Sequence, residues 1–271
     1  MTAVSAMSLP RHRRLPSLPL DGRVLTVAFI VGLIGLQELL TRTDVLPAGY
    51  FPPASQIAAA FVTELTGSAL ASALWHTMST WLLALCIAVV LGTAAGIALG
   101  LLVPLEALLR PVIEFLRPVP SVALIPLVVL TIGTGSESAL FLAVFAAFWQ
   151  VLVPAIAGVR AAHPVGLETA RSYHLTTWQK IRWIQLPSML PYLATAIRLA
   201  TSTTLILVVT AEIIIQMPGI GYEITMSRSA GNPARMYAYI ALSGLAGIAL
   251  NAVMRRLESK VLAAQGLGES R

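Results

Sequence analysis

Residues that ordinarily do chemistry are scarce in this chain and poorly placed for it. The two lysines are Lys180, after Gln179, and Lys260, after Ser259; neither stands in the Gly-x-x-x-x-Gly-Lys-Ser/Thr setting that cradles a nucleotide phosphate. His12, His76, His163 and His174 are scattered, with no His-Glu-x-x-His pair to hold zinc. No Gly-x-Ser-x-Gly elbow offers a nucleophile. The expected catalytic and metal sites are therefore none, and no cofactor is expected on this chain. Two kinds of polar residue remain. Gln150, the hydroxyl cluster Thr201, Ser202, Thr203 and Thr204, and Glu212 sit inside apolar runs, while Gly166–Pro187 (GLETARSYHLTTWQKIRWIQLP) is a continuous polar segment.

The surroundings decide how both kinds are read. Of 271 residues, 57% are hydrophobic and 11% charged, and mean hydropathy is +0.82. Soluble domains carry about 25% charged residues because their surface faces water. This surface must face lipid instead, which makes the chain an integral membrane protein. The net charge of +6 does not point to nucleic acid, since the basic residues lie between apolar runs and not along one helix. Cys86 lies inside an apolar run and reads as packing. The run Val24–Leu40 is longer than a usual leader core and lacks a small-residue cleavage site, so it reads as a retained span.

Six apolar segments emerge: Val24–Leu40, Met78–Val103, Ser121–Gly133, Ala139–Val159, Leu193–Met217 and Tyr237–Met254, of which Ser121–Gly133 is short for a bilayer of about 30 Å unless the proline-rich sequence before it extends the span. Lys and Arg concentrate on one side, with Arg11, Arg13, Arg14, Arg110, Arg117, Arg160, Arg171, Lys180 and Arg182 among them. Arg42, Arg228 and Arg235 fall on the other side. By the positive-inside rule both termini are cytosolic, as is Gly166–Pro187. One transmembrane domain, 24–257, is expected between tails at 1–23 and 258–271. Gly92, Gly96 and Gly100 recur every four residues and offer a smooth strip for close helix packing. Pro118, Pro120 and Pro126 imply a broken third span.

Polar groups within spans face an interior or a cavity. Gln150, Thr201, Thr203, Thr204 and Glu212 are therefore candidates to line a translocation path. Competing readings are a helix–helix hydrogen bond for Gln150 and self-satisfaction of threonine on the backbone behind it. Arg198 is expected to snorkel or pair, and Gln37 and Glu38 to be interfacial. In the polar segment, Pro164 suits a first helical turn and either Thr176 or Thr177 a second N-cap. Trp178, Ile181 and Ile184 would form the apolar side of that second helix, and Leu186-Pro187 would end it. The alternative is an amphipathic loop resting on headgroups.

Glu168, Thr169 and Ala170, with Ile184, Leu186 and Pro187 downstream, resemble the Glu-Ala-Ala loop of permease subunits in binding-protein-dependent ABC importers. Phe115–Leu127 (FLRPVPSVALIPL), Val208–Glu212 (VVTAE) and Pro218–Ile224 (PGIGYEI) are similar to segments of the nitrate/sulfonate/taurine branch. Thr169 departs from the family's second alanine, and His174 from its glycine. The resemblance implies a type I ABC importer permease fold of six transmembrane helices with a cytosolic coupling helix. Glu168, Thr169, Ala170, Arg171, His174, Trp178, Leu186 and Pro187 would then dock on a cytosolic ATPase dimer that uses ATP and magnesium. It further implies a homodimer in a bacterial plasma (inner) membrane, fed by an extracytoplasmic solute-binding protein. The solute would be a small anion such as a sulfonate, nitrate or taurine, or a small heterocyclic nutrient. A secondary transporter or channel would need paired midplane charges or inverted repeats, and neither is evident. A membrane-embedded hydrolase would need a converging catalytic set, which is missing.

Overall fold

A computed structural model describes residues 22–264. No strand occurs among them; the chain is α-helical, with short 3-10 and π turns. Five helices are long and apolar enough to cross a membrane, or six spans if one bent pair counts as a span. The described residues form two compact units, up to Ala54 and from Ser55 on, where the sequence suggests one domain over 24–257. The tail expected at 1–23 lies outside the described residues except for Gly22 and Arg23, which open the first helix.

In the first unit, α1 (Gly22–Arg42) keeps nearly all its described side chains exposed, including Phe29 and Val31. Gln37 donates from its amide to the Pro52 carbonyl at 3.2 Å, and Glu38 pairs with Arg42 at 2.6 Å. Both polar residues thus serve the end of the helix.

The second unit is built on three long helices. These are α3 (Ser68–Leu101), α6 (Ser136–Arg160) and α9 (Leu186–Ile215). In lipid, helices gain little by hiding apolar surface from one another, so close approach of small residues drives packing. A Cβ on Gly92 would stand 2.9 Å from Val151 Cβ, one on Gly100 2.7 Å from Val159 Cβ, and one on Gly96 would overlap Ala155 Cβ. The partners advance by four as the glycines do, so α3 and α6 run parallel. α9 runs antiparallel to both, with Gly158 against Met189, and Trp81 Nε1–H donating to the Thr201 carbonyl at 3.0 Å. Ala84, Ala88, Ala143, Ala147, Ala155 and Ala200 fill the shared core.

Two parallel helices need a return crossing, and α4 (Val103–Leu116), a 3-10 turn (Ser121–Leu124) and α5 (Ile125–Ile132) supply it. The crossing bends by 82° at the proline-rich break. The third span is therefore a broken element. The second starts at Ser68 instead of Met78, and the fifth at Leu186 instead of Leu193. Cys86 is exposed, not packed, because it faces away from α6 and α9.

At the outer end of this unit as the sequence orients it, α2 (Ala54–Thr66) and α10 (Ile220–Ser229) are tied to α11 (Pro233–Ala264). Tyr239 donates its hydroxyl to Glu64 at 2.6 Å, and Arg235 bonds Glu64 at 2.8 Å and Glu223 at 3.0 Å. At the opposite end of α11, Glu258 pairs with Arg198 at 2.8 Å and accepts from Thr195. α11 continues to Ala264, so no structural break marks the expected tail at 258; residues 265–271 lie outside the described residues.

Two outcomes follow from this packing. Gly96→Leu is expected to destabilise the protein by about 1–3 kcal/mol through overpacking against Ala155, whereas Gly32→Ala, with nothing within 4 Å, is not; thermal unfolding in detergent reads both. Burial alone would raise the Glu64 carboxyl, but the bonds from Tyr239 and Arg235 outweigh it and hold it below its ordinary value of 4.5. A depressed acid stabilises the fold fully above the unfolded value, and that contribution is lost as pH falls through the lower folded value. Glu64→Gln should flatten this acid-side loss in unfolding measured against pH.

Candidate functional site

The polar segment folds as two short helices joined by a tight turn. α7 (Pro164–Ser172) starts with proline in its first turn, where a missing N–H costs nothing. It ends in a Schellman motif: Leu175 N–H donates to the Ala170 carbonyl at 2.9 Å and His174 N–H to the Arg171 carbonyl at 3.0 Å. That motif needs a left-handed residue, and His174 occupies it with φ 50°. α8 (Thr177–Lys180) is capped by Thr176, whose hydroxyl accepts from Gln179 N–H while the Gln179 side chain accepts from Thr176 N–H. The N-cap is thus Thr176.

Burial sorts the residues expected here. Ala170 is 1% exposed and Leu167 half-buried, so they hold α7 down. Glu168, Thr169, Arg171 and His174 are exposed. Tyr173 is 77% exposed and Trp178 and Trp183 are each 67% exposed, three large aromatics displayed on a polar segment. Trp178 thus does not share the half-buried side of Ile181 and Ile184.

Leu186-Pro187 does not end this element. The α8 backbone passes through a π turn (Ile181–Gln185) directly into α9, and Leu186 and Pro187 form that helix's first turn. A proline ring clashes with the carbonyl four residues back in a regular helix, and the wider π turn relieves the clash. From Thr177 onward, the second helix of the polar segment and the long α9 are one continuous rod.

The residues expected to line an interior path separate into two groups. Thr201 and Thr204 are buried and donate to their own helix, to Ile197 and Ala200 carbonyls at 2.8 and 2.7 Å. Glu212 is fully buried and fastens the start of α10. Thr77 donates to Glu212 Oε1 at 2.7 Å and accepts from Ile220 N–H at 2.9 Å, while Gly221 N–H donates to Glu212 Oε2 at 2.9 Å. These are the otherwise unpaired N–H groups of a helix start, where an acceptor carboxyl is favoured. Gly219 (φ 153°) must lack a side chain here, because a Cβ would run into the Glu212 carboxyl. None of these three residues lines the cavity that Gln150 and Thr203 border.

Gln150 and Thr203 are brought together: Gln150 Nε2 donates to Thr203 Oγ1 at 2.8 Å across α6 and α9. Both line a cavity of about 350 Å³ with Arg117, Ser121 and Trp149. Sequence reasoning missed the last three as a group. Arg117 reads from the sequence as an inner-side charge, and only the broken crossing brings it and Ser121 beside mid-span residues.

The family description "Binding-protein-dependent transport system inner membrane component" matches residues 88–263. The chain is 30% identical over 250 residues to the taurine transport system permease protein TauC of Escherichia coli (strain K12), covering 90% of this chain and 89% of that one. It is 26% identical over 200 residues to the nitrate import permease protein NrtB of Leptolyngbya laminosa, covering 72% of each. Its fold is similar to that in an inward-facing structure of the MetNI methionine ABC transporter, with a TM-score of 0.63 at 18% identity, covering 71% of this chain and 96% of that one.

The strained turn yields a direct test. A left-handed residue with a Cβ costs about 1–2 kcal/mol, partly offset by the backbone entropy that glycine brings to the unfolded chain. His174→Gly should therefore raise stability by about 0.5–1 kcal/mol in thermal unfolding, with His174→Val falling on the other side of wild type.

Proposed function

The chain belongs to the inner membrane components of binding-protein-dependent transport systems, the permease subunits of ABC importers, and from that membership we propose that its α7–α8 loop is the coupling helix gripped by a separate ATPase. One observation carries this reading. Tyr173, Trp178 and Trp183 stand exposed on an element that is rigidly capped at its turn and continuous with α9. Exposed aromatics of this size are the residues that dominate protein–protein interfaces. Continuity with α9 supplies the mechanics, because motion imposed on α8 reaches Thr203 and the interior without crossing a loop.

In this reading Glu168, Thr169, Ala170, Arg171, His174, Trp178, Leu186 and Pro187 form the docking element and its root. The ATPase dimer binds ATP and magnesium, since no lysine here stands in a phosphate-cradling loop. The subunit works as a homodimer in a bacterial plasma membrane, with the termini and the loop in the cytosol, as the distribution of basic residues favours. An extracytoplasmic binding protein delivers the solute. The named relatives carry taurine and nitrate, which supports a small anionic solute.

Trp178→Ala is expected to weaken capture of the ATPase at least tenfold, about 1.4 kcal/mol, in co-purification from membranes, and to lower ATP-driven uptake accordingly. Retention of ATP-driven uptake after deletion of residues 166–180 would refute the proposal. So would labelling of Thr177→Cys by an impermeant maleimide in intact cells, or uptake that survives ATP depletion on an ion gradient alone.

A further inference from the structure

The cavity bordered by Gln150 and Thr203 contains unmet polar groups that the fold does not use. Gln150 lies about 15 Å along α6 from Arg160 and about 21 Å from Ser136, at 1.5 Å per residue, so the cavity belongs to the interior of the span. Gln150 Nε2 is spent on Thr203 Oγ1, and Thr203 can accept that bond because its own proton turns back toward the Leu199 carbonyl. This leaves Gln150 Oε1 as an acceptor sealed from solvent without a partner. Trp149 Nε1–H is likewise sealed and unpartnered. Its ring is not free to turn away, because Phe145 and Phe148 hold it edge-to-face at 5.8 and 5.0 Å between centroids.

Charge sharpens the pattern. Arg110 pairs with Glu114 at 3.3 Å and Arg160 with Glu106 at 3.5 Å, whereas no carboxylate among the described residues stands in ion-pair range of Arg117. Arg117 borders this cavity together with the Ser121 hydroxyl. An unpaired guanidinium, one fixed donor and one fixed acceptor therefore border about 350 Å³, near the lower end of the roughly 300–1,000 Å³ that small-ligand sites span. Arg117 is exposed, so the cost of an unmatched buried group falls on the Trp149 donor and the Gln150 acceptor, which in native proteins are normally paired.

We propose that this cavity is a resting site on the path for a small solute with an anionic oxygen-rich head and a separate N–H donor, 2-aminoethanesulfonate being a simple example. Arg117 and Trp149 Nε1–H take the head, and Gln150 Oε1 takes the donor. Both residues line the cavity, and their sealed atoms are the ones the proposal assigns to solute. The proposal rests on the reading of this subunit as the solute's path, and it adds which residues read the solute and what chemistry they select.

The test uses the full permease with its ATPase partner in lipid nanodiscs, without the binding protein, and radiolabelled 2-aminoethanesulfonate, ethanesulfonate and nitrate. Wild type is expected to bind 2-aminoethanesulfonate saturably and about tenfold tighter than ethanesulfonate, because the latter leaves Gln150 unmatched. Gln150→Leu should erase that preference while sparing ethanesulfonate. Arg117→Gln should weaken both sulfonates by about tenfold or more, with partial rescue in Arg117→Lys. Trp149→Phe, which keeps the ring and removes the N–H, should weaken both by about threefold to tenfold. Wild-type binding by Arg117→Gln, a preference that survives Gln150→Leu, nitrate held as tightly as 2-aminoethanesulfonate, or no saturable binding of any probe would each overturn the proposal. Capture of the ATPase by the same preparations reads the coupling loop separately, so the two readings fail independently; it also reports whether each variant is folded.

Discussion

Inside a bilayer no water waits to complete a broken helix, so each interruption in this chain has to be closed by the protein itself. Most of the polar residues buried in the spans answer that demand. Glu212 and Thr77 meet the N–H groups that open α10, and the Ser138 hydroxyl meets the Gly133 carbonyl at 2.5 Å where α5 gives way to α6. The Schellman bonds around His174 close α7, and a π turn makes room for Pro187. The same requirement explains the glycines of Pro218–Ile224, since the backbone can approach the Glu212 carboxyl only where side chains are absent. Against this background, Gln150 and Trp149 leave a spare acceptor and a spare donor on residues that line one cavity.

Much of this was legible from composition and spacing. Long apolar runs announce α1, α3, α6, α9 and α11, and the repeat of Gly92, Gly96 and Gly100 announces a close helix contact. The capping chemistry of Pro164 and Thr176 announces two short helices. What escaped the sequence has physical causes. α3 extends ten residues before Met78 because His76, Thr77 and Ser72 interrupt hydropathy without interrupting hydrogen bonding. α4 hides because Pro104, Pro111 and its charged pairs make a helix look like a loop. The continuity of α8 with α9 has no sequence signature, since proline reads as a stop unless a wide turn precedes it.

The interior residues carry the same lesson at finer grain. Hydropathy shows that Thr201, Thr203, Thr204, Gln150 and Glu212 are anomalous, but not which way each one faces. Two threonines turn back on their own helix, one supports a neighbour's amide, and the glutamate fastens a distant turn. Function then follows from orientation. A rod that begins among exposed aromatics and ends beside Glu212 joins the surface available to a partner with the inner wall.

The parallel pairing of α3 with α6 also constrains how the chain is made. Val151 emerges from the ribosome roughly 60 residues after Gly92, about 3–12 s later at ordinary synthesis rates of 5–20 residues per second. During that interval the glycine groove of α3 faces lipid or an insertion chaperone, and α4 and α5 must already be threaded before it can be filled. Assembly is therefore late and template-like: α6 enters a slot prepared by an earlier helix, and the rod that follows seals it in place.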